Sequence, residues 1–140
     1  MALRPATTAD VSALHRVRML VRENRLSDAS LVTERDYVAH LTRLGLGWVS
    51  EERGAIVGFS IGRLTDGNVW ALFVDPAHEG SGHGSKLHDA LIGSLFAAGL
   101  DSLWLTTEAG TRAEHFYLRK GWLPSPPHPA GEIRLVRRAS

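Results

Sequence analysis

The chain has 140 residues, about the length of one ordinary domain, and its 44% hydrophobic and 22% charged residues exclude a disordered composition. Its 16 Lys and Arg residues nearly balance its 15 Asp and Glu residues, a total that does not indicate a nucleic-acid partner. Because the sequence has no cysteine, disulfides, thiolate metal ligands and a cysteinyl covalent intermediate are excluded.

The N-terminal third predicts an edge strand and two amphipathic helices. Residues 2–4 form the short strand, and apolar residues then recur at helical spacing over residues 11–21. A second helix is expected to begin after Thr33, with Asp36 in the position of a capping box, and to continue to about residue 44.

The middle of the chain predicts a strand meander and one helix. Residues 48–50, 55–64 and 68–74 are rich in β-forming residues and are separated by the turn sequences EERG and TDG, which favours antiparallel pairing. Apolar side chains then fall on one helical face between residues 82 and 98, and Gly99 ends this helix.

The C-terminal part predicts a strand, a helix and a hairpin. The strand over residues 102–106 arrives after a helical crossover and should pair in parallel with the strand that ends at Val74. Residues 111–120 form the last helix, and residues 122–123 and 133–136 are expected hairpin partners. The order β-α-α-β-β-β-α-β-α-β-β indicates a single α/β domain over residues 1–140.

The sequence contains no targeting or membrane signal that we can identify. Its start, MALRPATTADVSAL, lacks the charged and then apolar layout of a secretory signal. No apolar run approaches the roughly 20 residues that a membrane span requires. We therefore expect a cytoplasmic protein without a membrane partner.

The stretch VDPAHEGSGHGSKLHDAL places three glycines, Gly80, Gly82 and Gly84, between a predicted strand and a predicted helix. Free amides and the positive end of the helix dipole favour a phosphate there, and glycine lets it approach the backbone. A tight turn with positive φ is the alternative explanation. The spacing does not match a Walker A loop, since Lys86 lacks the preceding Gly, and GxGxG is not the Rossmann GxGxxG pattern.

Two longer runs resemble a known family. Residues 72–87, LFVDPAHEGSGHGSKL, resemble the acetyl-CoA-binding motif of the GNAT N-acetyltransferases, LxVxPxx[Q/R]GxGxG followed by a helix. Residues 103–122 resemble the next motif of that family, in which a strand leads into a helix carrying Ala, Tyr and then Gly-aromatic. The resemblance implies the GNAT acyl-CoA N-acyltransferase fold, a mixed, mostly antiparallel sheet splayed between two parallel strands and flanked by about four helices.

The same resemblance implies an enzyme that moves the acetyl group of acetyl-CoA directly to a primary amine of a small molecule, peptide or protein, with a homodimer possible. A non-catalytic acyl-CoA-binding or sensing module is the alternative, because Glu79 replaces the usual Gln or Arg of the motif and because the strand over residues 68–74 lacks the carboxylate that many family members have there. The residues implied to bind the acetyl-CoA cosubstrate are Leu72, Phe73, Val74, Glu79, Gly80, Ser81, Gly82, His83, Gly84, Ser85, Thr106, Gly110, Arg112, Ala113 and Tyr117.

The resemblance also implies catalytic roles. Tyr117 is placed as the proton donor to the departing thiolate, with packing of the helix onto the sheet as its ordinary explanation. A main-chain amide near Phe73 or Val74 is placed opposite the developing oxyanion. The strand sequence NVWALFV contains no carboxylate, so the base stays open between a water chain and several acidic residues, of which Glu108 is preferred. The other candidates are Glu23, Asp28, Glu34 and Asp36.

Three further features were considered for binding. His78, His83 and His88 are spaced by five residues, which is not a same-face helical interval, so no metal site is expected and the first two are expected to be exposed loop residues. Tyr37, Trp48 and Trp70 are possible walls of an acceptor site, with core packing as the alternative for both tryptophans. Gly110 stands where many family members have Asn, which would remove a contact to the pantetheine arm.

Overall fold

The computed structural model describes residues 1–140 and contains seven strands in two sheets. An antiparallel sheet has the order β1-β2-β3-β4, and a second sheet has the order β5-β7-β6. The strands are β1 (Ala2–Pro5), β2 (Gly45–Glu52), β3 (Ala55–Arg63), β4 (Val69–Val74), β5 (Ser102–Glu108), β6 (Leu123–Pro124) and β7 (Glu132–Arg138). The helices are α1 (Val11–Leu20), α2 (Glu34–Leu41), α3 (His83–Ala97) and α4 (Arg112–Arg119).

The two sheets meet at a single parallel bridge between Asn68 and Trp104. The Trp104 amide donates to the Gly67 carbonyl at 3.1 Å, and the Asn68 side chain donates to the Trp104 carbonyl at 3.3 Å. Beyond this point β4 and β5 continue without a hydrogen-bonded ladder. The predicted parallel pairing therefore holds only at the start of the two strands, and the expected splayed sheet is confirmed.

The helices cover opposite faces of the sheets, because each has one apolar stripe to bury. On one face, Val11, Leu14 and Val17 of α1 pack with Tyr37 of α2 against Phe59 of β3. The other face is covered by α3 and α4, and its buried side chains include Leu91, Leu95, Leu103, Tyr117, Trp122 and Leu135. No helix is both long and apolar enough to cross a membrane.

Some element boundaries differ from the predictions. Helix α2 ends at Leu41, three residues early, and β2 begins at Gly45 instead of residue 48. A Cβ on Gly45 would collide with the carbonyl oxygen of Gly62, so this close approach of β2 and β3 requires glycine, a residue that strand propensity disfavours. Strands β5 and β7 also run longer than predicted, because they pair along their whole length.

Candidate active site

The glycine-rich loop lies between the end of β4 and the first turn of α3. Gly80 (φ +81°) and Gly82 (φ +88°) both have left-handed backbone conformations, so the tight-turn explanation accounts for two of the three glycines. The six main-chain amides of residues 80–85, Ser81 included, donate to no acceptor in the protein. A Cβ on Gly80 would meet nothing within 4 Å. The loop therefore presents free amides to open space beside the positive end of α3, as a phosphate site requires.

Glu79 lies at the start of this loop and is paired with a cation of α4. Its carboxylate accepts a hydrogen bond from the Arg112 guanidinium at 2.7 Å, and Arg112 is the first residue of α4. Gly110 precedes that helix with φ +77°, and asparagine is the residue type that tolerates this conformation best after glycine. The negative charge that set Glu79 apart from the family pattern is thus balanced by a cation from the opposite side.

Lys120, which directly follows α4, also contacts the start of α3. Its ammonium group donates to the Ser85 hydroxyl at 2.6 Å and to Asp89 at 3.0 Å. A positive charge is therefore fixed beside the first turn of α3. The contact joins residues 35 positions apart in the chain, so no local sequence pattern indicates it.

His83 was expected to be an exposed loop residue, and this expectation was wrong. Its ring is buried, with Nδ1 bonded to the Ser50 hydroxyl and Nε2 3.1 Å from Glu52. As the first residue of α3, it turns its side chain toward β2 and anchors the helix there. Only the main-chain amide of His83 remains available to a bound anion.

A cleft of about 600 Å³ occupies the gap between β4 and β5. Among the predicted site residues it is lined by Leu72, Phe73, Thr106, Glu108, Ala113 and Tyr117. Arg18, Asn24 and Arg25 line one side, and residues 130–132 line another. The splay of the sheet therefore creates the cleft, and its walls come from six separate segments of the chain.

Two amides near the end of β4 point away from β3. The Asp75 amide donates to the Val57 carbonyl at 2.7 Å, so by antiparallel alternation Phe73 also bonds to β3, while Leu72 and Val74 point the other way. No strand pairs with β4 on that side over these residues. Of the two predicted oxyanion donors, Val74 is therefore suitably oriented and Phe73 is not, and Leu72 is added.

Tyr117 lies on α4 with its side chain in the cleft wall. The ring is 7% exposed and packs edge-on against Phe116 and Trp122, with centroids 5.3 and 5.6 Å away. Its hydroxyl makes no hydrogen bond to another residue. Burial raises the pKa of the Tyr117 phenol well above its ordinary value, so the group is protonated at neutral pH.

Most of the carboxylates proposed as bases have structural partners. Glu23 accepts from the Arg112 amide at 3.1 Å and thereby caps α4, and Asp28 accepts from the Ser30 amide at 2.9 Å. Asp36 forms the predicted capping box with Thr33. Among the five acidic candidates only Glu108 lines the cleft. It is joined there by Glu132, its register partner on β7, which the sequence did not suggest.

Asn24 ties the segment after α1 to the edge of β5. Its side chain donates to the Thr107 hydroxyl at 3.0 Å and accepts from the Glu108 amide at 2.9 Å, with its own backbone at φ +56°. The contact spans more than 80 positions of sequence, which is why it was not predicted. It fixes the strand end that carries Glu108.

A second cavity of about 200 Å³ adjoins the cleft on the α1 and α2 side. It shares Arg18, Trp70, Ala71 and Phe73 with the cleft. Val32, Tyr37 and Phe59 complete its walls. Tyr37 and Trp70 are therefore walls of a cavity, as one alternative predicted. Trp48 lies on the other face, where its indole donates to the Ser94 hydroxyl at 3.1 Å.

The histidines near the loop are committed to separate contacts. His88 accepts from the Trp122 indole through Nε2 at 3.0 Å and bonds Asp89 through Nδ1 at 2.9 Å. His78 packs edge-on to His83 with ring centroids 6.2 Å apart. No three His, Asp or Glu side chains converge to a metal-binding arrangement.

The chain is similar in sequence to known acetyltransferases. The model of the Acetyltransferase (GNAT) family matches residues 11–122. A [ribosomal protein bS18]-alanine N-acetyltransferase of Haemophilus ducreyi is 29% identical over 123 residues, which cover 71% of this chain and 85% of that protein. A mycothiol acetyltransferase of Propionibacterium freudenreichii is 36% identical over 85 residues, which cover 56% of this chain and only 27% of that protein.

Solved structures of the same fold agree with the topology. The PaiA N-acetyltransferase of Thermoplasma acidophilum, in complex with coenzyme A, has a TM-score of 0.82 at 10% identity and covers 99% of this chain and 100% of that one. The ribosomal-protein-S18-alanine N-acetyltransferase of Escherichia coli has a TM-score of 0.76 at 20% identity and covers 96% of this chain and 90% of that one.

A splayed sheet with an amide-lined loop at the end of one diverging strand defines the class of the acyl-CoA N-acyltransferases. Since the family model covers most of the chain, the protein belongs to the GNAT family of acetyltransferases. It is an N-acetyltransferase, and acetyl-CoA is its acyl donor.

Proposed function

We propose that the protein transfers the acetyl group directly to a primary amine while both substrates are bound. The observation that carries this proposal is the continuity of the site. The six free amides of residues 80–85 follow β4, whose residues 69–73 line the cleft that contains Tyr117, and a second cavity opens from the same cleft. Because the chain has no cysteine, it offers no thiol that could hold the acetyl group between two half-reactions. This absence favours direct transfer.

The residues present fit acetyl-CoA. In this proposal the amides of residues 80–85 hold the diphosphate. Arg112 and Lys120 lie close to the loop, each in an ion pair, with Glu79 and Asp89 respectively. The pantetheine arm lies between β4 and β5, against Leu72, Thr106 and Ala113. When bound, acetyl-CoA supplies a thioester, and the amides of Leu72 and Val74 donate to its carbonyl oxygen as negative charge develops there.

Tyr117 acts as the proton donor to the departing sulfur. Its burial keeps the phenol protonated, and its hydroxyl has no competing partner within the protein. The same burial disfavours a thiolate in the cleft, so the leaving sulfur also gains affinity for a proton. Burial therefore raises the proton affinity of both groups, so the transfer replaces one buried anion by another.

Glu108 is proposed as the base that removes the amine proton. It is the acidic candidate that lines the cleft, and its main chain is fixed by Asn24. Glu132 lies beside it in register, so the two carboxylates together attract a protonated amine to this end of the cleft.

The acceptor binds in the second cavity, between Tyr37, Trp70 and Phe73. At about 200 Å³ this cavity is smaller than the ~300–1,000 Å³ of ordinary ligand sites, which favours a small group next to the amine. A non-catalytic acyl-CoA module is not favoured, because the Glu79 charge is paired with Arg112 and because Glu108 and Glu132 supply the cleft with carboxylates that β4 lacks.

Steady-state kinetics test the proposal. Thiol release from acetyl-CoA is measured against a panel of amines, amino acids and peptides, varying both substrates. Direct transfer predicts initial-rate lines that intersect in double-reciprocal plots and no thiol release without an amine. Parallel lines would contradict direct transfer, and the absence of thiol release with every amine would contradict the proposed activity.

A further inference from the structure

Arg18 lies on α1 where the cleft and the second cavity meet. It lines both, and its guanidinium stacks over the Phe73 ring at 4.1 Å from the centroid. Its Nη1 atom is buried and has no hydrogen-bond partner. A permanent positive charge is thus held between the two parts of the site with a donor left free.

Several other arginines of the chain have polar partners. Arg4 bonds Asp10 and Glu51, and Arg16 donates to the Ile56 carbonyl at 2.7 Å. Three buried side-chain polar atoms make no hydrogen bond, and the other two are ring nitrogens of His40 and His83, which have neutral forms. The His83 nitrogen still has the Glu52 carboxylate 3.1 Å away. An arginine has no neutral form at physiological pH, so Arg18 is the one residue whose unmet hydrogen bond also carries a fixed charge.

The surroundings of Arg18 make this arrangement costly without a ligand. Val32, Phe59, Trp70 and Phe73 give the second cavity apolar walls, and no carboxylate of the chain forms an ion pair with Arg18. Burial lowers the pKa of its guanidinium, which is the sign of a cation taken from water without a compensating anion. Leaving such a donor unpaired lowers the stability of the folded protein, and a bound anion from outside the protein would restore that stability.

On the basis of the proposed function, we propose that Arg18 binds a carboxylate of the acceptor, so the acceptor class is an amino acid whose carboxylate is free. A guanidinium binds a carboxylate through two parallel hydrogen bonds, and stacking on Phe73 fixes the plane in which they form. Because Arg18 lines the cleft as well as the second cavity, the carboxylate is held next to the reacting amine.

Stacking on Phe73 is also an ordinary way to pack an arginine. The stacking covers the flat face of the guanidinium, however, and leaves the in-plane Nη1 donor without an acceptor. A purely structural Arg18 would respond equally to acceptors with and without a carboxylate. That difference separates the two explanations by experiment.

The test compares matched acceptors in wild type and Arg18→Met, which keeps the length of the side chain and removes its charge. Glycine is paired with glycinamide and L-alanine with L-alaninamide, and thiol release from acetyl-CoA is measured. We expect Arg18→Met to raise KM for the free acids by roughly 10- to 100-fold and to change KM for the amides little. The KM of Arg18→Lys for the free acids should lie between those of the wild type and Arg18→Met, since lysine keeps the charge but lacks the planar guanidinium.

The control variant is Arg22→Met, an exposed arginine that lines neither cavity, for which we expect wild-type kinetics on both acceptors. Equal effects of Arg18→Met on the acids and the amides would overturn the proposal and leave the proposed activity intact. So would efficient transfer to the amides with none to the acids.

A binding measurement decides the matter even if no amine is acetylated. N-acetyl-L-alanine and N-acetyl-L-alaninamide are titrated calorimetrically into the CoA-saturated wild type and Arg18→Met. The proposal expects the acid to bind the wild type at least tenfold more tightly than it binds Arg18→Met. Similar binding of acid and amide, or no binding of the acid at millimolar concentration, would overturn it.

Discussion

At the scale of single residues, the environment of a side chain decides its chemistry. Tyr117 and Tyr37 are both buried phenols facing cavities, yet Tyr37 bonds the His15 ring at 2.8 Å while Tyr117 has no partner. Burial raises the pKa of Tyr37 to about 12, so it too stays protonated at neutral pH. The free hydroxyl of Tyr117 is the one available to a leaving group.

Tyr117→Phe removes that hydroxyl and keeps the ring that packs on Trp122. We expect kcat to fall by about 100-fold, within the range of lost acid catalysis, and the Kd for CoA to change less than twofold. Single-turnover kinetics and calorimetric titration with CoA measure the two quantities. An unchanged kcat would remove Tyr117 as the proton donor.

Glu108→Gln and Glu132→Gln form a matched pair at the other end of the cleft. If Glu108 is the base, its amide variant should lose at least about 100-fold in kcat/KM, while Glu132→Gln loses only the electrostatic attraction for the amine. The pair is compared at low and high salt, because salt screens attraction and leaves proton transfer unaffected. A larger loss in Glu132→Gln would reverse the assignment.

At the scale of elements, α3 carries the loop at its first residue and the core along its length. Its N-terminus is anchored by His83 to β2, and its buried face carries Leu87, Leu91 and Leu95. The free amides therefore sit on a helix that is fixed at both its end and its side. A rigid helix presents its amides at fixed positions, which reduces the ordering cost of binding.

Alanine substitutions at two glycines of this region separate the effect of the loop's backbone conformation from the effect of a glycine within the helix. Gly82→Ala places a Cβ at φ +88°, and we expect it to cost about 1–2 kcal/mol of stability and to weaken CoA binding. Gly93→Ala lies in the middle of α3 with open space around it, and should gain about 0.5–1 kcal/mol without affecting binding. Denaturant unfolding and CoA titration of both variants test this. Equal CoA affinity in the two would contradict the role of the loop.

His88 joins α3 to α4 through Trp122 and makes the stability of this joint depend on pH. Burial lowers the pKa of His88, and its Nε2 must be unprotonated to accept from the indole. Since the unfolded chain binds the proton more readily, stability is fully present above about pH 6.5 and is lost as the pH falls through the lower folded pKa.

His88→Gln should therefore weaken the dependence of the unfolding free energy on pH below about pH 6.5. Part of the dependence remains, because burial also lowers the pKa of His40. Denaturant unfolding over this pH range measures the slope, and His115→Gln, an exposed site on α4, is the control for loss of one histidine. If the unfolding free energy depended on pH with the same slope in wild type and His88→Gln, protonation of His88 would not contribute to the pH dependence of stability.

At the scale of the whole molecule, the features that could be predicted from the sequence are those formed by residues adjacent in the chain. The loop of residues 79–85 and the helix that follows were recognisable because their function depends on neighbouring backbone atoms. The order of elements was likewise predicted, since hydrophobic periodicity and turn residues are local signals.

The parts that could not be predicted depend on distant contacts. Arg18, Asn24 and Lys120 reach the site from three segments, and each looks in sequence like an ordinary solvated side chain. The buried position of His83 depends on β2, more than 30 positions away. Residue type gives no indication of such partners, and only the folded chain brings them together.

The most direct test of the account is a crystal structure of the protein with CoA bound. The account predicts diphosphate oxygens within about 3.2 Å of amide nitrogens among residues 80–85, and the sulfur beside the Tyr117 hydroxyl. A diphosphate bound elsewhere, or a sulfur directed away from Tyr117, would contradict it.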